Sequence, residues 1–413
     1  MKRVVITGAG ICSPLGSDPD SFFDALAAGR SGIRRINAPF ATALAMPYAG
    51  TIAQDVESAF PKLKRTGMDR VAMLALLAAR QAVARSGAAL GGAASERTGI
   101  YWSTGMGGAH ALEHAYHELL VSKAARLRPS SIVMVMNNSA TGHIGIDLAI
   151  RGPSYTYSSA CSSSAVAIGE AFRAIRFGLL DRAIAGGAEA LLTLGVIKAW
   201  ESLGTLAHAD ARGAETACRP FAGDRSGFLL GEGACALMLE EYEIARARGA
   251  TILGEVCGFG NTTDAGHITQ PDAGGQARAM RCALAEAGVD ASEVDHINAH
   301  GTGTKVGDVS ETRAIREVFG ARAQQIPISA TKALHGHLMG ATGAVEFLAT
   351  AMALVRGIAP PTAHLWQADP QCDLDYVPLT ARAMPDAHIA MSNSFGFGGN
   401  NAVLVVRRAG SRQ

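Results

Sequence analysis

The sequence predicts an α/β fold in which strands and helices alternate along the whole chain. Short β-prone runs are followed repeatedly by Ala- and Leu-rich stretches with apolar residues at helical spacing. No low-complexity linker interrupts the alternation, and 48 glycines are available for tight strand-to-helix turns.

The first strand, 3–8, rests on Val4, Val5 and Ile6, and helices over 19–28 and 68–86 follow it. A strand over 98–103 leads into helical patterns over 108–121 and 138–149. Residues 154–159 alternate and are β-prone, whereas 162–177 space Ala165, Ile168, Phe172 and Ile175 as a helix does. Strands at 183–187 and 234–240, a helix at 241–248 and a strand at 252–259 complete the middle of the chain. Beyond it come a helix at 275–287, strands at 294–299 and 326–330 around a helix at 309–318, and a helix at 343–356. Strands at 388–392 and 402–407 close the series, and no internal repeat stands out.

With 413 residues, 48% of them hydrophobic and 18% charged, the chain can bury a large core. Its 37 basic and 36 acidic residues leave a net charge of +1, so no global field attracts nucleic acid. The seven cysteines (12, 161, 218, 235, 257, 282 and 372) are scattered, odd in number and never at C-x-x-C spacing. Neither a disulfide framework nor a zinc site follows from them. The opening Met1-Lys2-Arg3-Val4-Val5-Ile6 turns glycine-rich and meets Pro14 before a signal-peptide core can form, and no apolar run reaches membrane-spanning length. The composition suits a cytoplasmic enzyme bound to neither nucleic acid nor membrane.

The most informative stretch is Ser154-Tyr155-Thr156-Tyr157-Ser158-Ser159-Ala160-Cys161-Ser162-Ser163-Ser164, which places Cys161 where a strand gives way to a helix. Unpaired N–H groups and the dipole at a helix start favour thiolate, so Cys161 is expected to be a nucleophile of depressed pKa. A small buried apolar residue is the other common fate of a free cysteine.

Three motifs downstream bear on that choice. Asn298-Ala299-His300-Gly301-Thr302-Gly303-Thr304 follows an apolar run, and Thr331-Lys332-Ala333-Leu334-His335-Gly336-His337 leads through Gly340 and Glu346 into a helical pattern. Asn393-Ser394-Phe395-Gly396-Phe397-Gly398-Gly399-Asn400-Asn401 precedes the last strand. With Cys161, these motifs resemble the elongating β-ketoacyl-[acyl carrier protein] synthases of type II fatty acid and polyketide synthesis. The resemblance runs from Val4 to Val406.

It implies the thiolase fold, a five-layer αβαβα sandwich of two similar halves. Residues 1–245 would carry the nucleophile and 246–413 the catalytic histidines. The implied reaction is a decarboxylative Claisen condensation of an acyl thioester on Cys161 with malonyl carrier protein. By resemblance, His300 and His337 donate Nε2–H groups to the developing enolate. Lys332 and Glu346 orient them, and the N–H groups of Cys161 and Phe397 form the oxyanion site. Phe397 also gates the acyl cavity beside Phe395 and Gly398, and Thr302 and Thr304 bind the pantetheine arm. Met106 is expected at the tunnel floor and Trp200, in place of a family phenylalanine, on its wall. No metal and no cofactor is implied beyond the phosphopantetheine of the carrier. The implied partners are acyl carrier protein, docked at the basic residues Lys62, Lys64, Arg65 and Arg70, and a second subunit. That subunit is a copy of the chain or a chain-length-factor-like homologue.

Several positions depart from the family pattern. His335 stands where Thr or Ser is usual, Asn400 replaces Thr, and Gly303 replaces Ser. Together with Trp200, these resemble a specialised polyketide or aryl polyene ketosynthase more than a housekeeping enzyme. Other readings are weaker. Thr7-Gly8-Ala9-Gly10 is similar to a dinucleotide-binding turn, but Ser13-Pro14 interrupts the helix that should follow. A degradative thiolase would carry a second cysteine near Asn393-Ser394-Phe395. A non-catalytic carrier-binding subunit would lack an acylatable Cys161. His110, His114 and His117 share one helical pattern and read as ordinary surface or core residues.

Overall fold

The computed structural model describes residues 1–410. Ten strands form the main sheet: β1 (Val4–Cys12), β2 (Thr98–Ser103), β3 (Ser154–Tyr157), β4 (Arg182–Glu189), β5 (Gly233–Glu241), β6 (Gly254–Thr263), β7 (His296–Asn298), β8 (Ile328–Ser329), β9 (Ile389–Gly396) and β10 (Asn400–Arg408). Their spatial order is β8-β7-β9-β10-β6-β1-β5-β4-β2-β3. Counted outward from the middle, both halves of that order read first, fifth, fourth, second, third. The directions correspond too: β2 is parallel to β3 and β4 as β7 is to β8 and β9, and the inner pairs are antiparallel. Two copies of one topology therefore meet where Val4–Ile6 of β1 pairs with Gly254–Val256 of β6.

The principal helices are α1 (Arg70–Ser86), α2 (Ala109–Tyr116), α3 (Ser139–Leu148), α4 (Ser163–Arg176), α5 (Leu194–Leu203), α6 (Ala273–Ala287), α7 (Lys305–Phe319) and α8 (Thr342–Arg356). Helices α4 and α8 pack on each other and touch strands of both halves, so they form the central layer. Outside, α1 and α3 cover the first five strands, and α6, backed by α7, covers the second five. The result is a five-layer αβαβα sandwich. Its largest apolar cluster runs through the central helices, joining Ile168, Phe172 and Ile175 of α4 to Phe347, Leu348 and Leu354 of α8. Among the described residues, no helix is long and apolar enough to cross a membrane.

The glycines near the N-terminus have a packing role. β1 does not stop at residue 8 but continues through Gly8 and Gly10 to Cys12. A Cβ on Gly8 would lie 2.2 Å from the Ala82 carbonyl oxygen, and one on Gly10 2.0 Å from that of Ala78. They let α1 lie directly on the strand, so no phosphate-binding turn forms there.

Candidate active site

The site lies beyond the C-terminal ends of the parallel strands, where loops of both halves converge, as open α/β sheets favour. Cys161 follows β3 in a 3₁₀ turn, Ala160–Ser162, that opens into α4. Ala160 takes φ +51, a left-handed conformation tolerable for so small a side chain. Serines hold the turn: Ser163 Oγ accepts the Ser159 N–H at 2.8 Å and donates to the Ala160 carbonyl at 2.6 Å. The β-prone, serine-rich sequence thus produces a sharp bend that aims the thiol into the cavity.

His300 follows β7, and its loop is pinned by a carboxylate absent from the sequence expectation. Glu311 on α7 accepts the His300 N–H at 2.8 Å, the Gly301 N–H at 2.9 Å and the Asn393 amide at 3.1 Å. Asp308, one turn earlier, accepts the Gly303 N–H at 3.0 Å and the Phe221 N–H at 2.7 Å. An acidic pair at i, i+3 in the helix after the His-Gly-Thr-Gly-Thr run was the only local signal for these residues.

Hydrogen bonding fixes both ring tautomers. The Met339 N–H donates to Nδ1 of His337 at 3.2 Å, so a neutral ring carries its proton on Nε2, which lies 3.0 Å from Cys161 Sγ. Lys332 Nζ stands 3.2 Å from Nδ1 of His300 and also donates to the His300 carbonyl, leaving that ring's proton on Nε2 as well. Burial, and then the Lys332 charge, hold both imidazoles well below the ordinary histidine range. Lys332 and Glu346 are fully buried and joined at 2.8 and 2.9 Å. The sulfur and the two rings bring ligand atoms within 4.8 Å of one another. Facing N–H groups with an ammonium behind them complement negative charge, not a metal cation.

The thiol departs from expectation. Burial pushes the Cys161 pKa up to about 11, although Lys332 and the N–H groups of Phe397 and Cys161 itself pull against it. Desolvation of the charged form outweighs the helix start, so the resting group is a thiol, not a thiolate.

A cavity of about 550 Å³ is lined by Cys161, His300, His337, Thr302, Thr304, Phe395, Phe397 and Trp200. Trp200 stacks on Phe397 at 6.0 Å between centroids and meets Phe228, itself edge-on to His337, at 5.6 Å. The hydroxyls of Thr302 and Thr304 are 2.9 Å apart, and Thr304 caps α7 by accepting the Gly307 N–H. Two expected residues lie elsewhere. Gly398, at φ +84, gives its N–H to the Ile268 carbonyl at 2.7 Å and does not line the cavity. Met106 is 49% exposed on the surface of the single chain. His335 is also set apart, its Nε2 3.0 Å from the Thr331 hydroxyl and its Nδ1 2.7 Å from the Gly336 carbonyl.

The basic cluster expected to dock a carrier is largely neutralised within the chain. Lys64 pairs with Asp147, Arg65 with Glu57 and Arg70 with Glu232.

Comparison with known proteins decides the family. Residues 1–245 match the β-ketoacyl synthase N-terminal domain, and residues 253–366 match the C-terminal domain. The chain belongs to the β-ketoacyl synthase family. Within that family it is 39% identical over 410 residues to 3-oxoacyl-[acyl-carrier-protein] synthase 2 of Staphylococcus aureus strain N315, covering 98% of each chain. Among solved ketosynthases, it resembles the one in a type II polyketide synthase complex of acyl-carrier protein and ketosynthase bound to the hexaketide. The TM-score there is 0.91 and the identity 28%, over 99% of this chain and 100% of that one. It also resembles the ishigamide ketosynthase/chain length factor, with TM-score 0.90 and 33% identity over 99% of this chain and 100% of that one.

Proposed function

We propose that the chain is a 3-oxoacyl-[acyl-carrier-protein] synthase that condenses an acyl group on Cys161 with malonyl carrier protein. The observation that carries this reading is the pair of neutral imidazoles gathered with the Cys161 sulfur at one end of the cavity, the Nε2 of His337 lying 3.0 Å from that sulfur. In the first step, Cys161 Sγ attacks the acyl thioester and the carrier thiol leaves with a proton. In the second, the C–C bond to the malonyl carboxylate breaks, CO₂ departs, and the electron pair becomes an enolate. His300 and His337 donate to its oxygen. The enolate carbon attacks the acyl carbonyl, whose oxyanion lies by the Cys161 and Phe397 N–H groups. Collapse forms the 3-oxoacyl carrier and frees the cysteine, which regains a proton from solvent.

Thr302 and Thr304 contact the pantetheine arm in this reading, and Lys332 and Glu346 orient His300. Phe395, Phe397 and Trp200 shape the acyl entrance. No resident cofactor is required, because the carrier brings the thioester. Seven free cysteines suit a reducing, cytoplasmic setting. A second subunit is part of the reading, a copy of the chain or a chain-length-factor-like homologue. Supporting it are an outer edge of β3 with exposed Ser154 and Tyr155, the exposed apolar residues Tyr116, Leu120, Ile132 and Ile146, and the surface position of Met106. Met106 would then form the tunnel floor at that interface. Departures at Trp200, His335 and Asn400 favour a specialised polyketide or aryl polyene pathway.

Intact mass after incubation with acyl carrier should show one acyl adduct, absent in Cys161→Ala, and malonyl carrier should then yield CO₂ and a 3-oxoacyl product. An adduct persisting in Cys161→Ala would remove the cysteine from the mechanism.

A further inference from the structure

Glu189 is completely buried at the end of β4, and the reaction above gives it no task. Its carboxylate faces two loops at once. From the loop after β2 it accepts the Gly105 N–H at 2.6 Å, the Met106 N–H at 3.3 Å and the Thr104 hydroxyl at 3.0 Å. From the loop that carries His337 it accepts the Gly340 N–H at 2.9 Å. Among the described residues no cation pairs with it, so these four donors hold whatever charge it bears.

The two loops are also in direct contact. A Cβ on Gly340 would lie 2.4 Å from the Gly105 nitrogen, and Ser103 Oγ donates to the Gly340 carbonyl at 2.9 Å. Gly340 directly follows Met339, whose left-handed backbone (φ +44) sends the N–H that fixes the His337 tautomer. A shift of the Met106 loop therefore reaches His337 through one carboxylate and two peptide groups.

We propose that Glu189 is a positioning residue that couples the loop bearing Met106 to the Nε2–H tautomer of His337. The fit of an acyl chain against Met106 then sets how well His337 serves the enolate. This rests on the condensation reading, with Met106 at the tunnel floor between two subunits, and adds to it a link between chain length and decarboxylation. A carboxylate can accept all four bonds, whereas an amide loses acceptor sites and turns an NH₂ group toward N–H donors.

The test compares full-length wild type with Glu189→Gln over a ladder of acyl carriers. Cys161 acylation is followed by intact mass and CO₂ release from malonyl carrier is followed separately. Misplacing a catalytic group by an ångström costs on the order of a hundred-fold, so CO₂ release should fall roughly ten- to hundred-fold while acylation persists. The dependence of CO₂ release on acyl length should flatten. A loss of both rates together with the length dependence intact would show a merely structural carboxylate and overturn the proposal. Thr104→Val, which removes one donor on the Met106 side, should flatten the same dependence with a smaller loss. If Glu189→Gln does not fold, an unchanged dependence in Thr104→Val overturns the proposal. A wild-type chain that acylates but releases no CO₂ overturns the condensation reading itself, an outcome distinct from unresponsive variants.

Discussion

Lys332 Nζ lies 3.2 Å from Nδ1 of His300 while gripping both oxygens of Glu346, and all three side chains are buried. An ammonium offers only donors, so this contact determines which nitrogen of His300 faces the cavity with its proton. The same ammonium keeps a buried carboxylate compensated. Stability and tautomer thus depend on one atom.

Lys332→Met should separate the two roles. Stranding the Glu346 carboxylate is expected to cost about 3–5 kcal/mol of unfolding free energy, measurable in urea. Lys332→Met/Glu346→Leu should recover most of that stability and none of the CO₂ release. Recovery of activity in the double variant would show that His300 needs no lysine.

The two half-reactions should also come apart at the histidines. His337→Ala is expected to accept an acyl group on Cys161 and fail to decarboxylate malonyl carrier. His335→Thr, altering a ring bonded to Thr331 and Gly336, should change neither rate greatly. The opposite pattern in a paired assay of acylation and CO₂ release would exchange the assignments of His335 and His337.

The pH dependence follows from burial. A folded thiol pKa near 11, above the unfolded value, means that Cys161 is protonated at neutral pH. Its thiolate fraction grows about tenfold per pH unit up to that point. Iodoacetamide alkylation of the free enzyme should therefore climb from pH 7 to pH 10 without a plateau. A plateau below pH 8 would restore the depressed pKa expected from the helix start. The imidazoles shift the other way and are neutral well below their usual range, so CO₂ release should show no acid inflection near the ordinary histidine pKa.

Trp200 packs between Phe397 and Phe228, and Phe228 lies edge-on to His337. Removing its contacts with Phe397 and Phe228, about 0.5–1.5 kcal/mol each, should loosen Phe397. Trp200→Ala is expected to raise Cys161 acylation by long or bulky acyl carriers relative to short ones in a competition assay. An unaltered ratio would reduce Trp200 to a wall of the cavity.

Much of the architecture was legible because apolar strand runs such as Ala402–Val406 and small-residue helices carry local signals. Extent was harder to read, since β1 continues past residue 8 to Cys12, where Gly10 lets α1 approach closely. Helix α5 was missed because its start is held from afar, the Leu194 and Gly195 N–H groups donating to Glu113 at 3.0 and 2.6 Å. Cys161, His300 and His337, which the fold brings together, stand in sequence motifs, whereas Glu311, Asp308 and Glu189 each take a partner from a segment distant in sequence. Sequence placed Cys161 at a helix start but could not weigh its burial. The charges at Lys64 and Arg70 could not be paired from sequence because their acidic partners, Asp147 and Glu232, are non-local.

The placement of β1 at the junction of the halves bears on how the chain is made. Its nine residues are all buried, and their partners in β5 and β6 begin at Ala234 and Gly254. At about 5–20 residues per second, roughly ten to forty seconds of translation separate the first strand from its first ladder partner. Through that interval the nascent N-terminus presents an unpaired apolar strand, the kind of segment that invites non-native association. Ribosome output, and not the intrinsic speed of sheet formation, sets the earliest moment at which the sandwich can close.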